Sequence, residues 1–254
     1  MLRRISIKRM AVAAAAALLA GVLTVSVATS CREGSGSGTV AESFTRSDIR
    51  TGDLLFSGLP AAYSIAPGTV NPPANRETCG GKELNLIHVS ILEAEGDSVW
   101  VIDATIRRGV ARYPLEDFLK DFTLSDGGLP WFIVCRLDPR EAGRRSTAPK
   151  QMARNIDRAK ALLGMPYDTE FVSGNGACYC TELVRNCYFS AAGDTLFAES
   201  PMDWRLEDGE IPLYWHELFA LLGGEVPQGH PGLTVAALAA SPLLTPVASG
   251  ELLR

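Results

Sequence analysis

Several common catalytic signatures are missing from this sequence. It has no glycine-rich phosphate loop, no dinucleotide-binding glycine pattern and no Gly-x-Ser-x-Gly nucleophile elbow. Only three histidines are present, and the close pair Cys178 and Cys180 has no second Cys/His pair at the spacing of a zinc site. These absences argue against nucleotide-dependent chemistry and against a structural metal, so we expect neither a metal nor a cofactor.

Positive charge is scarce beyond the N-terminus. Residues 1–30 hold four basic and no acidic side chains, whereas the remainder holds 20 Lys and Arg against 29 Asp and Glu, a net charge of −9. A surface with this balance does not favour nucleic acid or anionic lipid headgroups as partners. Any attachment to a membrane should therefore come from a separate anchor.

The N-terminal segment predicts export. A basic head is followed by an uncharged, alanine-rich run over residues 11–30, which is typical of a signal peptide. The small residues before Cys31 resemble the lipobox of bacterial lipoproteins, in which the cysteine is acylated and becomes the mature N-terminus. A plain signal peptide or an uncleaved anchor is the alternative. We predict a lipoprotein-type signal peptide over 1–30, a flexible tether over 31–47 and a domain over 48–254, anchored by lipid in the cell envelope on the periplasmic or surface side.

The pattern of apolar residues predicts an α+β domain. Strands are indicated before residue 140 and helices after it, which favours an antiparallel sheet over a doubly wound one. The tail from Val226 shows no clear periodicity, and residues 59–84 predict a long loop. The predicted strands are 53–58, a hairpin over 86–106 and 131–137, and the predicted helices are 114–122, 148–164, 180–193 and 214–224.

The stretch "ACYCTELVRNCYF" carries three of the six cysteines. Cys180 falls where a helix should begin, and unpaired N–H groups at such a position lower the pKa of a thiol. Cys187 lies two turns further along the same face and is predicted to be core. Cys178 precedes the helix and is either a bystander or a disulfide partner of Cys79. Of the three, Cys180 has the position of a reactive nucleophile.

His88 is the best candidate for the base beside that nucleophile. In a hairpin over 86–106 with a two-residue turn, His88 lies opposite Asp103 or opposite Thr105. In both registers the Asp103 side chain is on the same face as His88, directly opposite or diagonal. Glu93 is an odd number of residues from His88 and should point to the other face. Asp103 is therefore predicted to orient the imidazole.

Five short motifs together resemble a known family. They are similar to motifs of NlpC-type, papain-like cell-wall peptidases, but the Gly-Asp and His strands here precede the nucleophile helix. This order resembles the circularly permuted papain-like hydrolases of the YiiX-like group, over residues 48–190 or so. Thr181 stands where the family usually has Ser. The motifs are "GDLLF" (52–56), "HVSIL" (88–92), "VIDA" (101–104), "GMPYD" (164–168) and "YCTELV" (179–184).

The resemblance implies a fold and a set of roles. The fold is papain-like, with an antiparallel sheet packed against helices that include the nucleophile helix. Cys180 matches the nucleophile, His88 the general base and Asp103 the third polar position, where permuted members commonly carry Glu. Tyr167 matches a tyrosine near the cleft, and Tyr179 beside the nucleophile is a second candidate for contact with substrate.

Three functions are compatible with these residues. The first is a cysteine amidase or peptidase that cleaves an amide bond in cell-wall peptide or a related amide. The second is a lipid-directed acyltransferase or thioesterase of the same fold, which an apolar tunnel formed by residues 59–84 and the tail would favour. The third is a non-catalytic envelope binding protein. A polar open groove with Tyr167 exposed would favour the first, and the partner is a small-molecule, peptide or lipid substrate in every case.

Overall fold

A six-stranded antiparallel sheet forms the centre of the molecule, and helices pack on both of its faces. The computed structural model describes residues 45–74, 84–125 and 127–250. The strand order across the sheet is β4-β3-β2-β1-β5-β8, and a separate two-stranded ribbon is formed by β6 and β7. The described strands are β1 (Asp53–Leu59), β2 (Asn85–Glu95), β3 (Ser98–Thr105), β4 (Gly109–Pro114), β5 (Trp131–Leu137), β6 (Ser200–Pro201), β7 (Pro231–Gly232) and β8 (Leu244–Gly250). The described helices are α1 (Leu115–Asp121), α2 (Pro149–Ala161), α3 (Cys180–Cys187), α4 (Leu213–Leu222) and α5 (Val235–Ala239).

The two faces of the sheet bury two different apolar clusters. Alternate residues of a strand point to opposite faces, so Leu54 and Phe56 of β1 belong to one cluster and Leu55 belongs to the other. The first cluster includes buried side chains of α2, α3 and α5, and the second includes Leu115 and Phe118 of α1. Because both faces are covered, every residue of β1 is buried, including the polar residues Asp53 and Ser57.

The predicted hairpin is confirmed. Glu95 pairs with Ser98 across a two-residue turn, and Ile91 lies opposite Ile102. Gly96 in the turn adopts a φ of 59°, which a side chain would strain. This register keeps His88 and Asp103 on the same side of the hairpin, as the alternation of the sequence predicts.

Other predictions need correction. The helix predicted over 180–193 ends at Cys187, because Tyr188 is extended and its buried hydroxyl donates to the Gly52 carbonyl oxygen at 2.9 Å. The tail, which has no clear periodicity, contains α5 and the edge strand β8, and β8 pairs with β5. Strand β4 was not predicted either. In each case the element depends on contacts with chain segments far away in sequence.

The predicted signal peptide and most of the tether lie outside the described residues, as do Cys31 and Cys79. Within residues 45–74, 84–125 and 127–250, none of the helices combines the length and the apolar character that crossing a membrane requires.

Gly109 provides a test of how tightly β4 is joined to the segment before Tyr167. A Cβ atom at Gly109 would lie 2.3 Å from the Met165 carbonyl oxygen, and the Val110 N–H donates to that same oxygen at 2.8 Å. We expect Gly109→Ala to lower the free energy of unfolding by roughly 2 kcal/mol more than Gly96→Ala. Gly96 is the matched control because its φ is also positive and a Cβ there would meet nothing within 4 Å. Urea unfolding of both variants measures the difference, and equal losses would contradict the close approach.

Candidate active site

Cys180 is the first residue of α3, as predicted. Tyr179 precedes it in an extended conformation, with φ −97° and ψ 169°, and the chain turns into the helix at the cysteine itself. The first N–H groups of a helix have no partner within the helix, and together with the helix dipole they favour negative charge at this end. Cys180 is buried against the core but lines the wall of a cavity.

His88 and Asp103 form a buried pair beside this cysteine. The Nε2 atom of His88 lies 3.0 Å from Oδ2 of Asp103, and Asp103 has no solvent exposure. The Cys180 side chain also interacts with the imidazole, and the two side chains line the same cavity. Since Nε2 is engaged by the carboxylate, Nδ1 is the nitrogen that remains for the thiol. The structure therefore brings together the nucleophile, the base and the third polar residue that the sequence indicates.

An irregularity in the sheet occurs at His88. The register between β1 and β2 shifts at this point, where Ser57 is paired with His88 but the next residue, Gly58, is paired with Leu86. Such bulges redirect side chains and are common next to active sites. Phe122 lies against the imidazole, with the two ring centroids 4.9 Å apart. The ring is thus held by packing on one side and by hydrogen bonding on the other.

The charge state of His88 is set by competing effects. Burial disfavours the imidazolium, but the hydrogen bond to Asp103 and then the interaction with Cys180 outweigh it and raise the pKa of His88 to about 9. The imidazole is therefore protonated near neutral pH, in contact with the Asp103 carboxylate and the Cys180 sulfur. An imidazole beside a cysteine sulfur, held in turn by a third group, is the arrangement that activates a cysteine for nucleophilic attack.

Two hydroxyl groups donate hydrogen bonds to Asp103, and neither was predicted from the sequence. The Tyr113 hydroxyl donates to Oδ1 at 2.9 Å and approaches Oδ2 at 3.0 Å, and the Ser90 hydroxyl donates to Oδ2 at 3.3 Å. Ser90 could have been found from its position two residues after His88, on the same face of β2. Tyr113 could not, because its place depends on the pairing of β3 with the unpredicted strand β4.

A cavity of about 450 Å³ opens in front of Cys180 and His88. This volume lies within the range of small-molecule sites, and the lining is largely apolar and aromatic. Its walls come from the loop after β1, the end of α1, the segment around Tyr167 and the chain after α3. Among the lining residues are Leu59, Tyr63, Ile65, Phe122, Phe171, Trp204, Trp215, Leu218, Leu233 and Val235.

The two predicted substrate-binding tyrosines differ in position. Tyr167 is half-buried and lines the cavity with Cys180. Tyr179 has 1% of its surface exposed and does not line it; its ring packs against Phe171, and its hydroxyl accepts from the Leu233 N–H at 3.4 Å. Tyr179 therefore packs behind the residues of the site and does not form part of the cavity surface.

Phe171 is held in an unusual backbone conformation at the cavity wall. Its φ is 55°, in the left-handed region that bulky residues rarely adopt. The loop around it is fixed by the buried Asp168 carboxylate, which accepts hydrogen bonds from the N–H groups of Glu170 and Val172 at 2.8 and 2.7 Å. The ring packs in an aromatic cluster that includes Trp204 and Phe219.

The remaining described cysteines have the environment of core residues. Burial raises the pKa of Cys135 and of Cys187 to about 12, and it raises the pKa of Cys178 further still. Cys178 has no disulfide partner among the described residues, and the pairing with Cys79 considered above involves a residue outside them. The described residues also contain no group of three or more His, Cys, Asp or Glu side chains that could hold a metal ion.

Comparison with known proteins agrees with this geometry. A family model described as permuted papain-like amidase enzyme, YaeF/YiiX, C92 family, matches residues 48–248. The crystal structure of YiiX from Escherichia coli O157:H7, which is described as a metalloprotein, superposes with a TM-score of 0.54 at 22% identity, over 81% of this chain and 99% of that chain. At this identity the likeness supports the fold alone. No curated protein matches the sequence. Because the family model spans most of the chain, including both strands of the hairpin and helix α3, the chain belongs to the permuted papain-like amidase family.

Proposed function

We propose that the chain is a cysteine amidase in which Cys180 is the nucleophile, His88 the general base and acid, and Asp103 the residue that orients the imidazole. The single observation that carries this proposal is the convergence of these three side chains, with Cys180 and His88 in the wall of one cavity and Asp103 buried behind His88. A non-catalytic binding protein has no need of a buried carboxylate that supports an imidazole beside a thiol. Buried charges are costly without such a purpose.

The proposed reaction has two stages. The proton resides on His88, as the raised pKa of the imidazole favours, and the sulfur of Cys180 attacks the carbonyl carbon of the amide. The backbone N–H of Cys180, at the start of α3, stabilises the negative oxygen of the tetrahedral intermediate. The C–N bond then breaks, and the departing nitrogen takes the proton from His88. In the second stage His88 removes a proton from water and the hydroxide attacks the carbonyl carbon of the thioester. The C–S bond then breaks, which releases the acid and leaves the Cys180 sulfur beside the protonated imidazole.

The lining of the cavity favours an apolar acyl group on the carbonyl side of the bond. The lining residues from the loop after β1 and from the chain after α3 are mainly aliphatic or aromatic, and Tyr167 is only half exposed. This observation supports the second candidate, a thioesterase or acyltransferase that acts on acyl lipids with the same nucleophile. A cell-wall peptide remains the substrate implied by the unpermuted relatives.

The cellular location is part of the proposal. The basic head, the alanine-rich run and the small residues before Cys31 support export and attachment by a lipid on that cysteine, in the cell envelope. A membrane-tethered domain would meet either candidate class of substrate, cell-wall peptide or acyl lipid.

The nucleophile can be tested by selective alkylation. We expect iodoacetamide at pH 7 to modify Cys180 at least about tenfold faster than Cys135, Cys178 or Cys187, because burial raises the pKa of those three thiols. Peptide mapping by mass spectrometry gives the rate for each cysteine. His88→Ala should remove the advantage of Cys180, whereas His216→Ala, a change at an exposed histidine of α4, should not. Equal and slow labelling of all four cysteines would favour the non-catalytic alternative.

The substrate class can be tested with a series of amides and thioesters of increasing acyl length, together with muropeptides. If the cavity holds the acyl chain, kcat/KM should rise by about fourfold for each added CH₂, which corresponds to about 0.8 kcal/mol, until the cavity is filled. Muropeptide hydrolysis combined with no dependence on acyl length would favour the cell-wall substrate.

Cys180→Ala should abolish turnover of any substrate in that series. Cys187→Ala is the matched control, because it makes the same change on the same helix at a fully buried core position. Full turnover by the Cys180 variant would show that the proposed mechanism is wrong.

A further inference from the structure

We propose that Tyr113 is a fourth member of the catalytic network, a positioning residue whose hydroxyl fixes the Asp103 carboxylate so that the carboxylate can support the charged imidazole. The inference rests on the proposed function, because it assigns a role within the Cys180 and His88 mechanism. It extends that mechanism by a residue on a strand, β4, that contributes none of the three predicted catalytic side chains.

The two oxygens of the Asp103 carboxylate differ in their hydrogen-bond partners. Oδ2 is contacted by His88 and Ser90 as well as by Tyr113. Oδ1 receives a hydrogen bond from Tyr113 at 2.9 Å, and within the described parts of the chain no other donor contacts this oxygen. Without the Tyr113 hydroxyl, this oxygen of a fully buried side chain would lose its hydrogen-bond donor, and a buried polar atom without a partner is costly.

The pairing of β3 with β4 brings Tyr113 to this oxygen. Tyr113 lies on the neighbouring strand, where Asp103 is paired with Ala111 and Val101 with Tyr113. Residues 101 and 103 are two apart on β3, residues 111 and 113 are two apart on β4, and the strands pair 103 with 111. Asp103 and Tyr113 therefore lie on one face of the sheet.

Tyr113 itself is held rigidly. Its ring has 5% of its surface exposed and belongs to the apolar cluster that includes Phe118 of α1. The Arg108 guanidinium lies over the ring, 4.2 Å from its centroid, and is held in turn by Asp121 at 2.8 Å. A hydroxyl held this firmly selects one orientation of the carboxylate, which is the property expected of a positioning residue.

The charged and titratable groups around the carboxylate are few. His88 faces it from β2, Tyr113 from β4, and Arg108 acts on it from the turn between β3 and β4. Asp121 at the end of α1 acts on Tyr113 and is paired with Arg108. Burial, followed by the charge of Asp103, raises the pKa of Tyr113 far above its ordinary value, so the hydroxyl remains a donor at every pH used below.

The test compares two buried tyrosines in the full chain. Tyr113→Phe removes the hydroxyl on Asp103, and Tyr188→Phe removes a fully buried hydroxyl that donates to the Gly52 carbonyl oxygen at 2.9 Å, away from the carboxylate. The rate of Cys180 alkylation by iodoacetamide is measured from pH 5 to pH 9 for both variants and the wild type, with urea unfolding to compare stability.

We expect Tyr113→Phe to lower the rate at pH 7 by about tenfold or more and to move the pH profile towards higher pH. Tyr188→Phe should lose stability and keep the wild-type profile.

A double-mutant cycle shows whether Tyr113 acts through Asp103. Asp103→Asn should reduce the alkylation rate by itself, and Tyr113→Phe should have little further effect in that background.

If Tyr113→Phe does not fold, Ser90→Ala serves as the second variant, and a fall of about threefold in the rate supports the same network. An unchanged rate in Ser90→Ala would then count against it.

The outcomes separate the inference from the function on which it rests. If wild-type Cys180 is alkylated as slowly as the buried cysteines, the proposed function itself is contradicted. If wild-type Cys180 is fast and Tyr113→Phe matches both the wild type and Tyr188→Phe, the cysteine mechanism stands and the role of Tyr113 is overturned. Equal effects of Tyr113→Phe with and without Asp103 would overturn it as well.

Discussion

The contact between His88 and Asp103 is the interaction on which the rest of the site depends. A carboxylate with no solvent exposure is costly unless each oxygen is hydrogen-bonded, and the structure surrounds this one with the imidazole and two hydroxyl groups. In return the hydrogen bond to the carboxylate helps to outweigh the effect of burial on the pKa of His88. The imidazole therefore carries its proton while in contact with Cys180. Removal of either partner would leave the other buried without its partner, and under the proposed mechanism it would lower the reactivity of Cys180.

The fold supports this contact from both faces of the sheet. α1 covers the face that holds Tyr113, while α3 packs on the opposite face and places Cys180 at its own first residue. The site is formed where the two layers meet at the bulge beside His88. The apolar cavity in front of it is bounded largely by loops and short elements outside the sheet, so the sheet and α3 position the proposed catalytic side chains while the loops bound the cavity.

Much of the site could be predicted because it depends on local patterns. Alternation in a short hairpin is enough to bring Asp103 to the face of His88, and a glycine-rich approach to a helix is enough to place Cys180 at its start. Tyr113 and the edge strand β8 could not be found in this way, because both depend on pairing with distant strands. The end of α3 at Cys187 was missed for a similar reason, since a buried hydrogen bond from Tyr188 to Gly52 overrides the local preference for helix.

The most direct measurement of the central claim is the protonation of His88 in the wild-type protein, followed by NMR of the imidazole nitrogens across a pH titration. The chain has only three histidines, and the exposed His216 and His230 provide reference signals. Since the pKa of His88 is raised from 6.5 to about 9, its ring should remain doubly protonated at pH 7 and lose its proton only as the pH approaches 9. A His88 ring that is already neutral at pH 7 would contradict the account.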